Sequence, residues 1–214
     1  MAETKTTGAR RGEATREAIE AAAVDLFAER GYHATSMREI ASAAKVQPAA
    51  IYHWFDSKEK ILTRLQDDFM DRLEAAVEEA VAAEATPPGQ LAAAVREHVV
   101  FHGLHAREAF VTDSEIRALS TRPRNRLIAR RDAYQTMFRQ MIEAGVKSGD
   151  FTISNPAVAS YAILLECTGV ALWYDPKGAL ALDEIAAIHV ELVLGSLGAA
   201  PKVAGRTGAR KERR

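Results

Sequence analysis

Thr35–Lys58 reads TSMREIASAAKVQPAAIYHWFDSK, and it holds two short helices separated by a turn. Ser36 and Glu39 have the spacing of a capping box, in which the hydroxyl accepts an orphan helical N–H and the carboxylate reaches back to the cap. Met37, Ile40, Ala41 and Ala44 then recur at helical spacing, and the run stops at Lys45-Val46. A second helix is expected from Gln47-Pro48, because proline at the first helical position gives up only an N–H that has no intrahelical partner. Ile51 and Phe55 form its buried face, while Ala49, Ala50, Tyr52, His53 and Trp54 leave the other side small, aromatic and polar. A helix of that composition suits a major groove, so the stretch reads as a helix-turn-helix.

The flanks complete a small domain. Ile19, Ala22, Ala23, Leu26 and Phe27 form one face of a helix over Arg16–Arg30, which Gly31 closes as a left-handed cap. Two short helices cannot bury their apolar faces alone, so this helix is their third wall. Asp56 and Glu59 read as the cap of a long helix through Ile61, Leu62, Leu65, Phe69, Leu73 and Val77. Thr86-Pro87-Pro88-Gly89 ends that helix and separates the module from the larger remainder.

FAERGYHATSMREIA (Phe27–Ala41), the Val46–Phe55 run with its IYHWF ending, and Asp56-Ser57-Lys58-Glu59 together resemble the TetR family of transcriptional regulators. The resemblance implies an all-α fold: a three-helix DNA-binding domain over 10–56 and a helical ligand-binding and dimerisation domain over 57–198, about nine helices in all. It implies a repressor that binds a palindromic double-stranded operator as a cytoplasmic homodimer, responds to a small-molecule effector, and has neither catalytic residues nor a cofactor. Gln47, Pro48, Ala49, Ala50, Tyr52 and His53 would face bases, joined by Arg38; Ser36, Tyr52, Trp54 and Lys58 would meet phosphates. Two positions depart from the family. Lys45 stands where glycine is usual, so a positive φ there would carry strain, and Gln47 replaces the usual Ser or Thr cap.

Composition sets outer bounds. A hydrophobic content of 48% with abundant alanine favours helical packing, and a formal net charge of −1 does not announce a nucleic-acid binder. Distribution matters more: Lys5, Arg10 and Arg11 precede the first helix, and Lys202, Arg206, Arg210, Lys211, Arg213 and Arg214 crowd the end. Residues 1–9 and 199–214 read as disordered arms, the second basic. No stretch is expected to reach the ~20 apolar residues of a bilayer span, and no signal peptide is evident. The single cysteine, Cys167, lies in an apolar run and reads as a small buried hydrophobe in a reducing compartment.

In the second part, helices are expected over about 90–105, 110–119, 124–147, 156–173 and 183–197. Phe101, Phe110, Tyr134, Phe138, Tyr161 and Trp173 are the candidate lining of an effector pocket. The WYDPKGALALDEIA segment is similar to family members that sense acyl-CoA or related molecules, which suggests an apolar or amphipathic effector. Helix 156–173 is apolar nearly all round and the last helix carries an apolar face with small residues near its end, so the two form the expected four-helix dimer interface. Against these stands a helical carrier or enzyme without DNA binding. His98, His102 and His105 share a helical face, but no carboxylate completes an evident metal set. Glu166 is expected to pair with Arg126 or Arg130, and no nucleophile-elbow, zincin or phosphate-loop sequence occurs.

Overall fold

A computed structural model describes residues 3–198, with side chains from residue 12 onward. The basic tail and the side chains of Lys5, Arg10 and Arg11 lie outside the described residues. The described chain is all α-helical: α1 (Glu3–Arg30), α2 (Met37–Ala43), α3 (Pro48–Ile51), α4 (Lys58–Ala82), α5 (Pro87–Leu104), α6 (Ala106–Ser114), α7 (Thr121–Ser148), α8 (Pro156–Thr168), α9 (Val170–Trp173) and α10 (Leu182–Ser196), with a 3₁₀ turn at Glu115–Ala118. Counting α8 and α9 as one helix broken at Gly169 gives nine. Helix α1 starts at Glu3, so the backbone over 3–9, within the arm read from sequence as disordered, is helical.

Local chemistry explains most boundaries. Ser36 and Glu39 make the reciprocal capping box of α2, and Gly31 closes α1 at φ 81°. Gly149 closes α7 at φ 82°, and Asn155 caps α8 by accepting from the Val158 N–H at 3.1 Å. Three boundaries differ from the sequence reading. The cap of α4 is Ser57, which accepts from the Lys60 N–H, while Glu59 accepts from the Ser120 N–H at 2.7 Å instead. Thr86 does not simply end a helix: its hydroxyl accepts from the Gly89 N–H and starts α5 at Pro87. Helix α3 is a single turn that continues as non-helical turns through Phe55, whose N–H still donates to the Ile51 carbonyl.

The three walls of the small module meet through Ile19, Ala23, Phe27, Ile40, Ala41, Ile51 and Phe55, all buried. In the larger part α5 is central: α4 and α10 pack along it, and α7 and α8 close the far side. Most of its buried polar side chains are hydrogen-bonded, although the Gln66 Oε1 has no partner among the described residues. His98 and His102 stack at 4.0 Å between ring centroids; the His98 nitrogens bond the Tyr134 hydroxyl at 2.9 Å and the Thr168 hydroxyl at 3.0 Å. Burial pushes His98 well below the ordinary histidine range and Tyr134 well above the ordinary phenol range. Cys167 is fully buried, and burial pushes its thiol up to about 12.

Contrary to the sequence expectation, Pro156–Trp173 is apolar and long enough to cross a bilayer by length and composition, with mean hydropathy 1.4 over 18 residues, of which 22% are buried. Gly169 breaks this segment, and Val158, Tyr161, Leu165, Leu172 and Trp173 along it are exposed.

Candidate DNA interface and effector pocket

The helix-turn-helix presents Arg38, Gln47, Pro48, Ala49, Tyr52, His53 and Trp54 at the surface, with Ala50 half-buried. Among the described residues the side chains of Arg38, Gln47, Tyr52 and His53 make no hydrogen bond, ion pair or ring contact, so their polar groups are open to an outside partner. Trp54 is 40% exposed and its ring end faces Gly12 of α1, where an added Cβ would sit 3.1 Å away.

Two expected phosphate contacts are engaged internally. The Ser36 hydroxyl donates to the Glu39 carboxylate at 2.8 Å, a bond that holds Glu39 below the usual carboxylate range. Lys58 points inward: its ammonium donates to the carbonyls of Tyr32 at 2.6 Å and Thr35 at 2.5 Å, and lies 4.2 Å from the Tyr32 ring centroid. Partial burial lowers its pKa, against the opposing pull of Glu39 and Glu115. Lys58 thus fixes the loop before α2 to the start of α4, a positioning role that spacing alone does not reveal.

The joint between the module and the larger part is ionic. On α6, Arg107 pairs with Asp25 and, at 3.7 Å, with Glu29 of α1, while Glu115 just beyond it accepts from the Tyr32 N–H at 3.2 Å. On α4, Arg64 reaches Glu20 of α1 at 3.5 Å and Arg72 pairs with Glu108 of α6. Burial raises the Glu20 pKa despite Arg16 and Arg64. A cleft of about 740 Å³ opens here, lined by carboxylates from Glu17, Glu20, Asp25, Asp68 and Glu108 against the guanidiniums of Arg72 and Arg107. Its acidic excess disfavours an anion.

The six aromatic residues expected to share an effector pocket do not converge. Phe101, Tyr134 and Phe138 are buried together with His98 and His102 in the core of the larger part. Tyr161 and Trp173 are 60% and 57% exposed, and Trp173 stacks on His189. Phe110 lines a pocket of about 370 Å³ between α6 and α8–α9, with Leu165, Leu172, Ala171 and a polar rim of Asp113, Ser114 and Thr168. Sequence reasoning missed Leu165 and Leu172: an all-round apolar helix does not say which residues stay uncovered.

The three histidines of α5 do not meet at a metal. Both His98 nitrogens are hydrogen-bonded, His102 bonds the His98 carbonyl, and His105 lies beside Arg72 and Glu108; no metal-binding group of three His, Cys, Asp or Glu occurs among the described residues. Glu166 is exposed on α8, and its expected partners are taken: Arg126 pairs with Asp67, and Arg130 with Asp71 and Glu74.

Comparison with known proteins finds two matched stretches of the chain. Residues 19–65 match the model of bacterial regulatory proteins, tetR family, and residues 84–197 match the tetracyclin repressor-like C-terminal domain. The HTH-type transcriptional repressor KstR2 of Rhodococcus jostii (strain RHA1) is 31% identical over 178 residues, 82% of this chain and 87% of that protein. The solved structure of the ketosteroid transcriptional regulator KstR2 of Mycobacterium tuberculosis is similar with TM-score 0.79 at 26% identity, covering 85% of this chain and 94% of that one. AibR, solved in complex with isovaleryl coenzyme A and operator DNA, gives TM-score 0.76 at 27% identity over 83% of this chain and 97% of that one. With a free helix-turn-helix surface, and with family models and a relative matched across both parts, the chain belongs to the TetR family of transcriptional regulators.

Proposed function

We propose that this regulator is a cytoplasmic homodimeric repressor that binds a palindromic operator and is released by an apolar or amphipathic effector of acyl-CoA-like chemistry. The observation that carries the dimer is the set of large apolar side chains left uncovered on α8 and α10: Val158 62%, Leu165 78%, Ile188 43% and Leu192 55% exposed. Isolated apolar residues on a surface are ordinary, but several large ones on each of two helices mark a protein contact. Gly195 adds an independent argument. It is an exposed helical position where an added Cβ would meet nothing within 4 Å, so this chain gains nothing from its smallness. A partner helix approaching closely would. Two-fold pairing then spaces two reading helices at about one DNA turn, ~34–36 Å, which is what makes the operator a palindrome.

The effector reading rests on similarity to AibR, whose structure contains isovaleryl coenzyme A and operator DNA, and on the apolar pocket beside Phe110. An acyl chain packs against Phe110, Leu165 and Leu172, and its carbonyl finds donors at Ser114 or Thr168. Filling this pocket loads α6, the helix that carries Arg107 and leads into Glu115, which grip α1 and the Tyr32 loop. An effector releases DNA only by preferring the conformation whose reading helices are badly spaced.

Binding of DNA from upstream of its own gene, measured against salt, tests the first part; a helical carrier or enzyme would show no salt-dependent operator binding. Isovaleryl-CoA and longer acyl-CoAs titrated with and without that DNA test the second. Coupling of ~1–3 kcal/mol gives a roughly 5–150-fold change, and reciprocity requires the same factor in both directions. Equal effector affinities with and without DNA would overturn the switch.

A further inference from the structure

Lys45 stands at φ 57° in the turn between α2 and α3, the one non-glycine residue at positive φ among those described. The other three such positions are Gly31, Gly149 and Gly198. A residue with a Cβ enters this left-handed region only against steric resistance. The turn itself demands the conformation: the Lys45 N–H donates to the Ser42 carbonyl at 3.1 Å and the Val46 N–H to the Ala41 carbonyl at 2.9 Å. These bonds close α2 and send the chain into the extended approach to Pro48, with Gln47 at φ −64° and ψ 139°. Glycine would make the same bonds without strain.

Nothing among the described residues explains the lysine. Its side chain is exposed, and it makes no ion pair, side-chain hydrogen bond or ring contact with the described residues. Between Ile40 and Phe55 it is the only residue with a fixed charge. It precedes Gln47, Pro48 and Ala49, all at the surface, by two to four positions. Strain held at an exposed position with no internal compensation points to a partner outside the chain.

We propose that Lys45 is a DNA phosphate contact, the single fixed cation of the reading turn, and that the turn carries its backbone strain for the sake of that contact. This rests on the helix-turn-helix surface being the DNA interface. A long flexible ammonium suits the task, since a phosphate needs charge and reach but no fixed fork of donors. The contact positions the reading helix without reading sequence, so its loss weakens all duplexes alike.

The test uses the full-length protein with Lys45→Gly, Lys45→Asn and Lys45→Arg, a labelled random-sequence duplex, and DNA from upstream of its own gene. Lys45→Gly removes both strain and charge. Its melting temperature should rise by about 2–4 °C, while its affinity for both duplexes falls and the slope of log affinity against log salt shrinks by about one per reading unit. Lys45→Asn, tolerant of the left-handed region but neutral, should lose the same slope. Lys45→Arg should keep the slope and gain no stability. A Lys45→Gly protein that is more stable yet binds with an unchanged slope overturns the proposal, as does one that is less stable. Wild type that binds neither duplex at any salt overturns the DNA interface itself, a different outcome.

Discussion

Lys58 and Arg38 show how one charge type serves opposite ends within a single motif. Lys58 spends two of its three donors on the Tyr32 and Thr35 carbonyls, so its loss acts first on the fold of the module. Lys58→Met should lower stability by about 1–3 kcal/mol, weaken DNA binding through the misplaced loop, and leave the salt slope unchanged. A slope reduced by one would return Lys58 to the phosphate contacts. The Arg38 side chain is exposed and has no partner among the described residues, which suits a bidentate pair with a guanine. Arg38→Ala should erase preference at one operator position, about 1–3 kcal/mol of discrimination, as read by binding to a set of single-base operator variants. Uniform weakening across that set would make Arg38 a phosphate contact instead.

At the scale of elements, α8, α9 and α10 have apolar surface that the other described residues leave uncovered. The break at Gly169 divides Leu165 from Leu172, yet both remain outside, 78% and 74% exposed. Alanine is the better helix former by about 1 kcal/mol, so Gly195→Ala in an isolated chain would stabilise α10 slightly. In a closely packed dimer it should instead raise the monomer–dimer dissociation constant, by tenfold or more if the added methyl costs about 1.4 kcal/mol. Leu192→Glu should give monomers outright, because it places a charge in the face. Sedimentation at micromolar concentration decides both: wild type already monomeric there would rule out this interface.

The whole molecule carries a pH dependence set by its buried histidines. His98 and His102 are both held below the ordinary histidine value, in each case first by burial. Their surroundings are His102 and His98 themselves, Tyr134, Thr168, and the Asp113–Arg131 pair. A base whose pKa is depressed on folding stabilises the native state above its unfolded value and loses that contribution as pH falls, because the unfolded chain takes up protons that the folded one refuses. Stability should therefore be level above about pH 6.5 and fall below it by up to about 1.4 kcal/mol per pH unit for each histidine. Glu39 and Glu59, both lowered by hydrogen bonds from Ser36 and Ser120, extend the loss into the carboxylate range. His98→Gln should flatten the first part of this fall by about half in thermal melts between neutral and mildly acidic pH. A wild-type melting temperature that does not change down to pH 5 would mean that the histidines titrate freely.

The helix-turn-helix was legible in the sequence because its signals are local: a capping box at Ser36 and Glu39, proline at the head of α3, and glycine closing α1 each act within one helical turn. The strain at Lys45 was legible only through the family resemblance, which puts glycine at that position, because no local signal marks a positive φ at a lysine. Apolar periodicity also identified most core residues of α1, α4 and α7. It could not say what each apolar face meets, since a pattern marks a face and not its partner. Only the tertiary structure sent Lys58 inward, because the carbonyls it bonds belong to a loop more than twenty residues earlier. Only packing split the six aromatics into a closed core of Phe101, Tyr134 and Phe138, a pocket residue in Phe110, and the exposed Tyr161 and Trp173. That division depends on how α5, α7 and α8 cross, and those crossings are set by many distant side chains at once.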